Sequence, residues 1–376
     1  MNSRFIESQA AFDAVIATLA AAPLLAVDTE AASFHRYRDR VYLLQISARD
    51  LTVVVDPLAV ADLSRFGAVL AHPAIEIVFH DADYDLRLLH QEFGFRAHRL
   101  FDTRVAAQLL NEPGIGLAAL LEKYLGIKLD KRFQRADWSA RPLAPGMLEY
   151  AAADTHYLPA LRDVLRDRLA NLGRLAWAEE EFALLEQVQW APPGEETEPP
   201  HLRMKGAKAL RPRQLAILRE LHEWRDAHAR RLDRAAFRVM NNEPLFAMAK
   251  DPPATLQELA RVPGIGRDVE RRGPELLAAI QRAQAIPERD LPRLVRPPRR
   301  PVDLDFEARV ERLKTARNVA AARLDLAPGV VCPNGTLEAI ARATPDSLEA
   351  LGAVPMVRKW QVDAIGEELL GALRIP

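Results

Sequence analysis

Two carboxylates two positions apart stand at the end of a short apolar run. Residues 24–27 are all apolar, and Asp28 and Glu30 follow them. A run of this kind without Gly or Pro favours a buried β-strand, on which residues i and i+2 share a face. Two like charges held this close repel, and burial increases the cost unless a cation lies between them. Hard divalent cations with oxygen ligands fit such a pair, and two unrelated acids at a solvated strand end are the alternative.

A second acidic group follows a predicted strand at 75–80, where the chain enters a predicted helix. Asp81, Asp83 and Asp85 fall in the first helical turn or just before it. Acidic side chains at a helix N-terminus cap backbone N–H groups and complement the helix dipole. Capping therefore explains these residues by itself, and at most one of them needs to face the strand that carries Asp28.

A tyrosine and an aspartate, Tyr150 and Asp154, lie four positions apart in a predicted helix. This spacing places both side chains on one helix face. The alanines at 151–153 let another part of the backbone approach closely. A buried tyrosine hydroxyl bonded to a nearby carboxylate is a common core arrangement, and it is the simpler interpretation of this pair alone.

The elements that must position these residues belong to a chain of ordinary composition. The chain has 376 residues, 49% hydrophobic and 27% charged, which allows two or three domains with full cores. No apolar run is long enough for a membrane span, and the N-terminal residues lack the apolar segment of a signal peptide. Cys332 is the only cysteine, which excludes an intramolecular disulfide and a zinc-finger pattern. We therefore expect a cytoplasmic protein, and its net charge of -1 means that nucleic-acid binding must come from local patches.

The first half of the chain predicts an α/β domain with a mixed sheet. Strands are predicted at 24–27, 41–47, 51–57, 75–80 and 100–103. Helices are predicted within 1–22, at 58–70, from the fourth strand to Gly94, and onward to about residue 170 with a loop at 131–145. The second and third strands are separated by three residues, which predicts a hairpin. Helices that alternate with the later strands would cover the faces of the sheet.

Two stretches rich in proline and charge, 189–200 and 287–301, predict linkers. The pattern between them and after them is helical. Both helical blocks place a proline beside a turn late in the unit, Pro263 in the first and Pro355 in the second, so we interpret them as a weak, divergent repeat. The predicted domains are 1–190, 205–288 and 302–376.

The three acidic motifs, in their order and approximate spacing, resemble those of the DEDD superfamily of 3′-to-5′ exonucleases. One branch of that superfamily has a histidine five residues before the last aspartate. Here that position is Glu149, so the chain resembles the tyrosine branch instead. The resemblance implies an RNase H-like mixed-sheet exonuclease domain, followed by two small all-α domains.

The rest of the chain narrows the resemblance. The segment 129–143 is similar to a loop of the ribonuclease D family, and the two helical blocks look like the paired HRDC domains of that family. This resemblance covers nearly the whole chain. It implies a metal-dependent 3′-to-5′ exoribonuclease that releases nucleoside 5′-monophosphates. The implied substrates are structured RNAs with short 3′ tails, such as tRNA precursors.

The same resemblance implies a role for each of the five residues Asp28, Glu30, Asp85, Tyr150 and Asp154. Two divalent cations about 3.5–4 Å apart, Mg²⁺ or Mn²⁺, can activate a water and stabilise the leaving oxygen of a phosphodiester. Asp28 would bridge both cations, and Glu30 and Asp154 would complete the first. Asp85 would serve the second cation through water. Tyr150 would position the attacking water, because an unperturbed tyrosine has a pKa near 10 and makes a poor base.

Contacts with RNA are predicted from polar residues near these motifs. The predicted residues are Gln45, His80, Lys131, Arg132, Gln134, Arg135, Gly264 and Gly266. The basic loop before Tyr150 would meet phosphates, and the Gly264 turn resembles a helix–hairpin–helix turn. Gln45 and His80 could instead satisfy core neighbours. Further basic candidates are Lys205, Lys208, Arg211, Arg213, Arg289, Arg293, Arg296, Arg299 and Arg300.

Two other functions fit the same sequence. A DNA exonuclease on this scaffold stays open, because no residue can be named that reads a ribose 2′-hydroxyl. A nucleic-acid-binding scaffold with an inactive nuclease fold is disfavoured, because an inactive site has no reason to keep four repelling carboxylates. The sequence contains no P-loop or dinucleotide fingerprint, so we expect no small-molecule organic cofactor. Because no apolar run approaches a membrane span, we expect no membrane partner either.

Overall fold

Six strands form one mixed sheet in the computed structural model, which describes residues 3–192, 198–266, 269–292 and 303–374. The strands are β1 (Ser3–Ile6), β2 (Leu24–Glu30), β3 (Leu43–Ser47), β4 (Thr52–Val55), β5 (Glu76–Phe79) and β6 (Leu100–Asp102). Their order in the sheet is β1-β4-β3-β2-β5-β6. The strands β2, β3 and β4 pair antiparallel, and the other neighbours pair parallel. The predicted mixed sheet and its hairpin are therefore confirmed.

The N-terminal strand β1 is not among the strands predicted from the sequence. Residues 3–6 form an edge strand that pairs parallel with β4, so the predicted fifth strand at 100–103 is the sixth. Four residues with little apolar alternation have no strand signal of their own, because their conformation depends on a partner about 50 positions away in sequence. The helix predicted at 58–70 is also shorter, since Ser64–Leu70 alone is helical.

Eight helices follow or separate the strands of the sheet in the described residues up to 192. They are α1 (Gln9–Ala20), α2 (Ser64–Leu70), α3 (Asp83–Phe93), α4 (Thr103–Leu109), α5 (Leu117–Leu125), α6 (Pro145–His156), α7 (Leu158–Asn171) and α8 (Leu175–Leu185). Helix α3 ends at Gly94 in the left-handed conformation (φ 72°), as the sequence predicts. Helix α6 packs on β2, β3 and β4, and this contact brings Tyr150 and Asp154 to the sheet.

The first helical block has a hydrophobic core of its own. Its helices are α9 (Pro200–Arg203), α10 (Pro212–Arg231), α11 (Ala236–Val239), α12 (Asn242–Lys250), α13 (Leu256–Leu259) and α14 (Val269–Ala285). Residues 31–40 belong to the same compact unit as this block. The Tyr37 hydroxyl lies 2.9 Å from the Asp226 carboxylate, and the guanidinium of Arg230 lies over the Tyr37 ring.

The second helical block belongs to the compact unit that contains the sheet. Its helices are α15 (Leu304–Leu324), α16 (Pro328–Val331), α17 (Asn334–Ala343), α18 (Leu348–Gly352) and α19 (Lys359–Arg374). Trp360 stacks on Trp177 of α8 with ring centroids 4.7 Å apart. The Glu180 carboxylate accepts the backbone N–H groups of Lys359 and Trp360 at the start of α19. The domain boundaries predicted from the sequence stay predictions.

A buried arginine makes the same contacts in both helical blocks. Arg225 donates to the carbonyl of Met240 and to Asn242, which are 15 and 17 residues further along the chain. Arg317 donates to the carbonyl and asparagine at the same two separations, at Cys332 and Asn334. The predicted repeat is therefore present in the packing as well as in the helix order. No helix in the described ranges is long and apolar enough to cross a membrane.

Candidate active site

Three carboxylates meet where β2 passes under α6. Asp28 and Glu30 lie two positions apart on β2, and Asp154 comes from α6. One carboxylate oxygen from each lies within 4.8 Å of those from the other two, and all three residues are partly buried. The strand places the first two acids on one face, and the packing of α6 on that strand adds the third.

The fourth carboxylate, Asp85, comes from α3 and faces β2. It accepts hydrogen bonds from the backbone N–H of Thr29 at 3.0 Å and from the Thr29 hydroxyl at 2.5 Å. Asp83 instead forms an ion pair with Arg87 on the surface of α3. Helix α3 has no side-chain N-cap, so capping does not account for Asp85.

Asp102 fixes the turn from which α3 begins, and it is not among the residues predicted for the site. Its buried carboxylate accepts backbone N–H groups from Ala82 at 2.7 Å, Arg104 at 2.8 Å, Val105 at 3.1 Å and Asp81 at 3.3 Å. Asp81 has a φ of 70°, a conformation that non-glycine residues rarely adopt. A side chain that bonds to four backbone N–H groups holds this turn, and with it the start of the helix that carries Asp85.

Tyr150 completes the site from α6, one turn before Asp154. Its ring packs edge-on against Phe133, with centroids 6.0 Å apart. The buried Trp138 ring is tilted by 35° to it, with centroids 5.9 Å apart. Burial, and then the negative charge of Asp154, raises the pKa of the Tyr150 phenol. The phenol therefore keeps its proton at neutral pH and can donate a hydrogen bond into the site.

Burial raises the pKa values of all four carboxylates, and the charge of a neighbouring carboxylate raises three of them further. Burial, followed by the charge of Asp154, raises the pKa of Asp28 to about 8. Burial raises the pKa of Asp154 to about 7. Burial and then the charge of Asp28 raise the pKa values of Glu30 and Asp85 well above their usual range. Ionised oxygens this crowded need a positive charge among them, and an all-oxygen donor set suits a hard divalent cation.

A cavity of about 540 Å³ opens over the acidic cluster. One wall contains His80, Asp81 and Tyr84 at the start of α3. A second wall is residues 116–119 at the start of α5, and a third is formed by parts of the loop 129–134. The carboxylates and Tyr150 therefore share one open space with the basic loop.

The loop residues predicted to contact RNA differ in their positions relative to the cavity. Lys131 and Gln134 are exposed and line the cavity. Arg132 pairs with Asp130 at 2.6 Å and lines a neighbouring hollow. Arg135 is exposed on the same loop but is not part of the cavity wall.

The two predicted residues on the sheet differ in their access to the cavity. His80 lines it, and its Nδ1 atom lies 2.9 Å from the Thr103 hydroxyl. Burial lowers the pKa of His80 to about 4, so the ring is neutral at physiological pH. Gln45 pairs with Asp28 across β2 and β3 and is completely buried. The RNA contact predicted for Gln45 is therefore wrong, because its side chain has no surface to offer.

In the first helical block, the predicted turn has a clear structural requirement for glycine. Gly264 has a φ of 85°, and a Cβ atom there would lie 2.7 Å from Pro244. Gly266 also has a positive φ, of 59°.

The further basic candidates differ in their contacts. Arg213 donates to the carbonyls of Ala283, Gln284 and Ile286 beside the end of α14, which is a structural role. Lys208 pairs with Glu198 at 2.6 Å. Arg293, Arg296, Arg299 and Arg300 lie outside the described residues.

The fold and the site together define a 3′-to-5′ exonuclease. Residues 3–170 match the family model described as 3′-5′ exonuclease, and residues 214–280 and 306–373 match the HRDC domain. The chain is 33% identical over 367 residues to a ribonuclease D of Granulibacter bethesdensis, covering 95% of this chain and 89% of that protein. It therefore belongs to the ribonuclease D family and is a 3′-to-5′ exoribonuclease.

Solved structures agree with this assignment along the whole chain. The crystal structure of Escherichia coli RNase D matches with a TM-score of 0.70 and 27% identity, covering 99% of each chain. A crystal structure of a protein from Bifidobacterium adolescentis matches with a TM-score of 0.84 and 27% identity, covering 98% of this chain and 96% of that one. The sheet and the two helical blocks thus belong to a fold shared with a known exoribonuclease.

Proposed function

We propose that Asp28, Glu30, Asp85 and Asp154 hold two divalent cations, Mg²⁺ or Mn²⁺, for hydrolysis of the 3′-terminal phosphodiester of RNA. The observation that carries the proposal is the group of three carboxylates within 4.8 Å of one another, with Asp85 on the same cavity. When bound, the cations would lower the pKa of a coordinated water and would offset negative charge on the reacting phosphate. The products would be nucleoside 5′-monophosphates.

Asp28 is the residue best suited to bridge the two cations. After burial, the negative charge of Asp28 is the largest cause of the raised pKa values of both Glu30 and Asp85. Glu30 and Asp154 would complete one cation site with it. Asp85 is held by Thr29 and is not one of the three clustered carboxylates, which supports an indirect, water-mediated contact with the second cation.

Tyr150 would orient the attacking water or a phosphate oxygen. Its raised pKa keeps the phenol protonated, so it can donate a hydrogen bond and cannot serve as the base at neutral pH. Phe133 and Trp138 restrict the ring from the side of the basic loop. A side chain positioned in this way lowers the barrier by orientation.

We propose structured RNAs with short 3′ tails, such as tRNA precursors, as the natural substrates, which implies work in the cytoplasm. The similar Escherichia coli enzyme is described as an exoribonuclease involved in structured RNA processing. Lys131 and Gln134 at the cavity are the best placed of the predicted RNA contacts. The turn at Gly264 and Gly266 in the first helical block is a second proposed contact, for RNA outside the cavity.

The test is digestion of a 5′-labelled tRNA precursor with a short 3′ tail. We expect a ladder that shortens from the 3′ end, with release of nucleoside 5′-monophosphates in Mg²⁺ or Mn²⁺. A chelator and the Asp28→Asn variant should each stop the reaction. A matched DNA strand tests the sugar preference. Full activity in chelator, or release of nucleoside 3′-monophosphates, would overturn the cation assignment, and equal digestion of DNA would overturn the preference for RNA.

A further inference from the structure

One aromatic side chain lines the active-site cavity while staying half exposed. Tyr84 lies on α3, directly before Asp85. Its exposed fraction is 47%, whereas that of Asp85 is 6%. Successive residues on a helix point about 100° apart, so Asp85 can face β2 while Tyr84 borders the cavity. The same helix therefore presents a carboxylate to the strand and a flat ring to the space above it.

The surroundings of Tyr84 suit a nucleobase. His80, four positions earlier in sequence and before α3 begins, lines the same cavity. Other walls carry apolar surface from Leu117, Ala118 and Leu129. The cavity, at about 540 Å³, falls within the roughly 300–1,000 Å³ typical of pockets that enclose a whole small ligand. A planar base thus has both the room and the apolar surface to enter beside the acidic cluster.

We propose that Tyr84 stacks on a nucleobase near the 3′ end of the bound RNA. This proposal rests on the function proposed for the acidic cluster. The carboxylates and the basic loop act on the phosphates, which are the same in every nucleotide. A stacking contact adds binding to the base and accepts all four bases, because every base presents a π face. A contact of this kind suits an exonuclease that removes successive nucleotides of any sequence.

The contact has a definite consequence for substrates. RNA that lacks a base at the stacked position should bind more weakly, whichever base would have been there. The expected loss is about 5- to 150-fold, which corresponds to the roughly 1–3 kcal/mol of one base–aromatic stack at 1.4 kcal/mol per tenfold. The side chain is half exposed, so its truncation should have little effect on stability.

The experiment combines Tyr84 variants with RNA that contains an abasic residue. Short single-stranded RNAs carry the abasic residue at the last or at the penultimate position, and the intact RNA is the reference. The enzymes are the wild type, Tyr84→Ala, Tyr84→Leu and Tyr84→Phe. Phe237→Ala is the matched control, because Phe237 is also 47% exposed but lies on α11, outside the cavity wall. Kinetics in Mg²⁺ give kcat and KM, and thermal unfolding checks the fold.

We expect Tyr84→Ala and Tyr84→Leu to raise KM for intact RNA by about 5- to 150-fold, with a smaller change in kcat. Tyr84→Phe and the Phe237→Ala control should stay near the wild type. For the wild type, the KM of one of the two abasic RNAs should be raised by a similar factor. Tyr84→Ala should not raise the KM for that RNA further. If both abasic RNAs behave as intact RNA, Tyr84 does not stack on a base. The same conclusion follows if, at both abasic positions, the loss caused by Tyr84→Ala multiplies the loss caused by the missing base.

The result separates this proposal from that for the cation site. If Asp28→Asn is inactive while Tyr84→Ala matches the wild type, the stacking contact alone is wrong. If Asp28→Asn stays active, the cation assignment fails regardless of Tyr84. A loss with Tyr84→Phe equal to that with Tyr84→Ala would assign the effect to the hydroxyl, which also contradicts stacking. The wild type on abasic RNA tests the proposal even if a variant does not fold.

Discussion

The Asp85 carboxylate accepts the backbone N–H of Thr29 at 3.0 Å, although 56 residues separate the two in sequence. Thr29 lies between Asp28 and Glu30 on β2. This contact therefore connects β2, which carries two of the acidic residues, to α3, which carries Asp85. The Thr29 hydroxyl bonds to the same carboxylate oxygen. The position of Asp85 therefore depends on a residue that binds no cation in our assignment.

Thr29→Val should weaken this connection without changing the shape of the side chain. Hydrogen bonds to charged groups contribute about 1.5–3 kcal/mol, so the free energy of unfolding should fall by roughly that amount or less. The kcat should fall as well, because Asp85 loses one of its two constraints. Urea unfolding and kinetics measure both quantities. Thr29→Ser keeps the hydroxyl and is the control. If Thr29→Val and Thr29→Ser have the same free energy of unfolding and the same kcat, the hydroxyl has no role in holding Asp85.

Asp28→Asn should abolish cleavage while leaving the fold and RNA binding nearly intact. It removes one of four carboxylates that repel one another, so the melting temperature in chelator should hold or rise. RNA binding by filter assay and melting by calorimetry test the two halves of this expectation. Asp83→Asn is the matched control, since Asp83 is exposed on α3 and pairs with Arg87. Normal turnover by Asp28→Asn would refute its bridging role.

Tyr150→Phe should lower kcat by roughly 10²–10⁴-fold, the usual range for a side chain that handles a proton or its water in the transition state. Cation affinity should change little, because the phenol keeps its proton and is no anionic ligand. A Mn²⁺ titration followed by calorimetry compares Tyr150→Phe with Asp154→Ala. An equal loss of affinity in the two variants would make Tyr150 part of the cation site.

The metal-free protein should lose stability as pH rises. The pKa of Asp28 is about 8 in the folded state, against 3.8 for an ordinary aspartate, and that of Asp154 is about 7. Carboxyls with a raised pKa hold more protons when folded, so their contribution is complete below about pH 4 and is lost as pH rises through 7 and 8. Melting in chelator across this range measures the effect.

Divalent cations should reverse this pH trend. Cation binding requires ionised carboxylates, so affinity should increase from pH 6 to 8 and offset the loss of stability. Asp28→Asn should flatten the metal-free profile, because it removes one of the titrating groups. A metal-free profile with the same slope in wild type and variant would show that Asp28 has an ordinary pKa.

The sequence was sufficient for the sheet, for most helices and for the three acidic motifs, because these depend on local patterns. It was insufficient for β1, whose strand conformation needs β4 as a partner. Spacing alone left Asp85 in doubt, since its direction depends on Thr29. Gln45 was misassigned because burial between a sheet and a helix is a tertiary property that one strand does not reveal.

The helical blocks illustrate the same limit at a larger scale. Helical periodicity and proline-rich linkers predicted two separate units after the nuclease domain. The stack of Trp177 on Trp360, and the hydrogen bonds that Glu180 accepts from the start of α19, connect the second block to the unit that contains the sheet. Likewise, nothing in residues 31–40 indicates that Tyr37 pairs with Asp226 of the first block. Contacts between distant segments have no local signal.

Two bound cations should be visible in anomalous difference maps from crystals of the wild type and of Asp85→Asn, each grown with Mn²⁺ and a short RNA. For the wild type, we expect two Mn²⁺ peaks in the cavity, both in contact with Asp28, with Glu30 and Asp154 at one of them. For Asp85→Asn, we expect the peak away from Glu30 to weaken or disappear. Wild-type crystals with no peak at the acidic cluster, or with peaks that do not contact Asp28, would show that these carboxylates do not hold two cations as proposed.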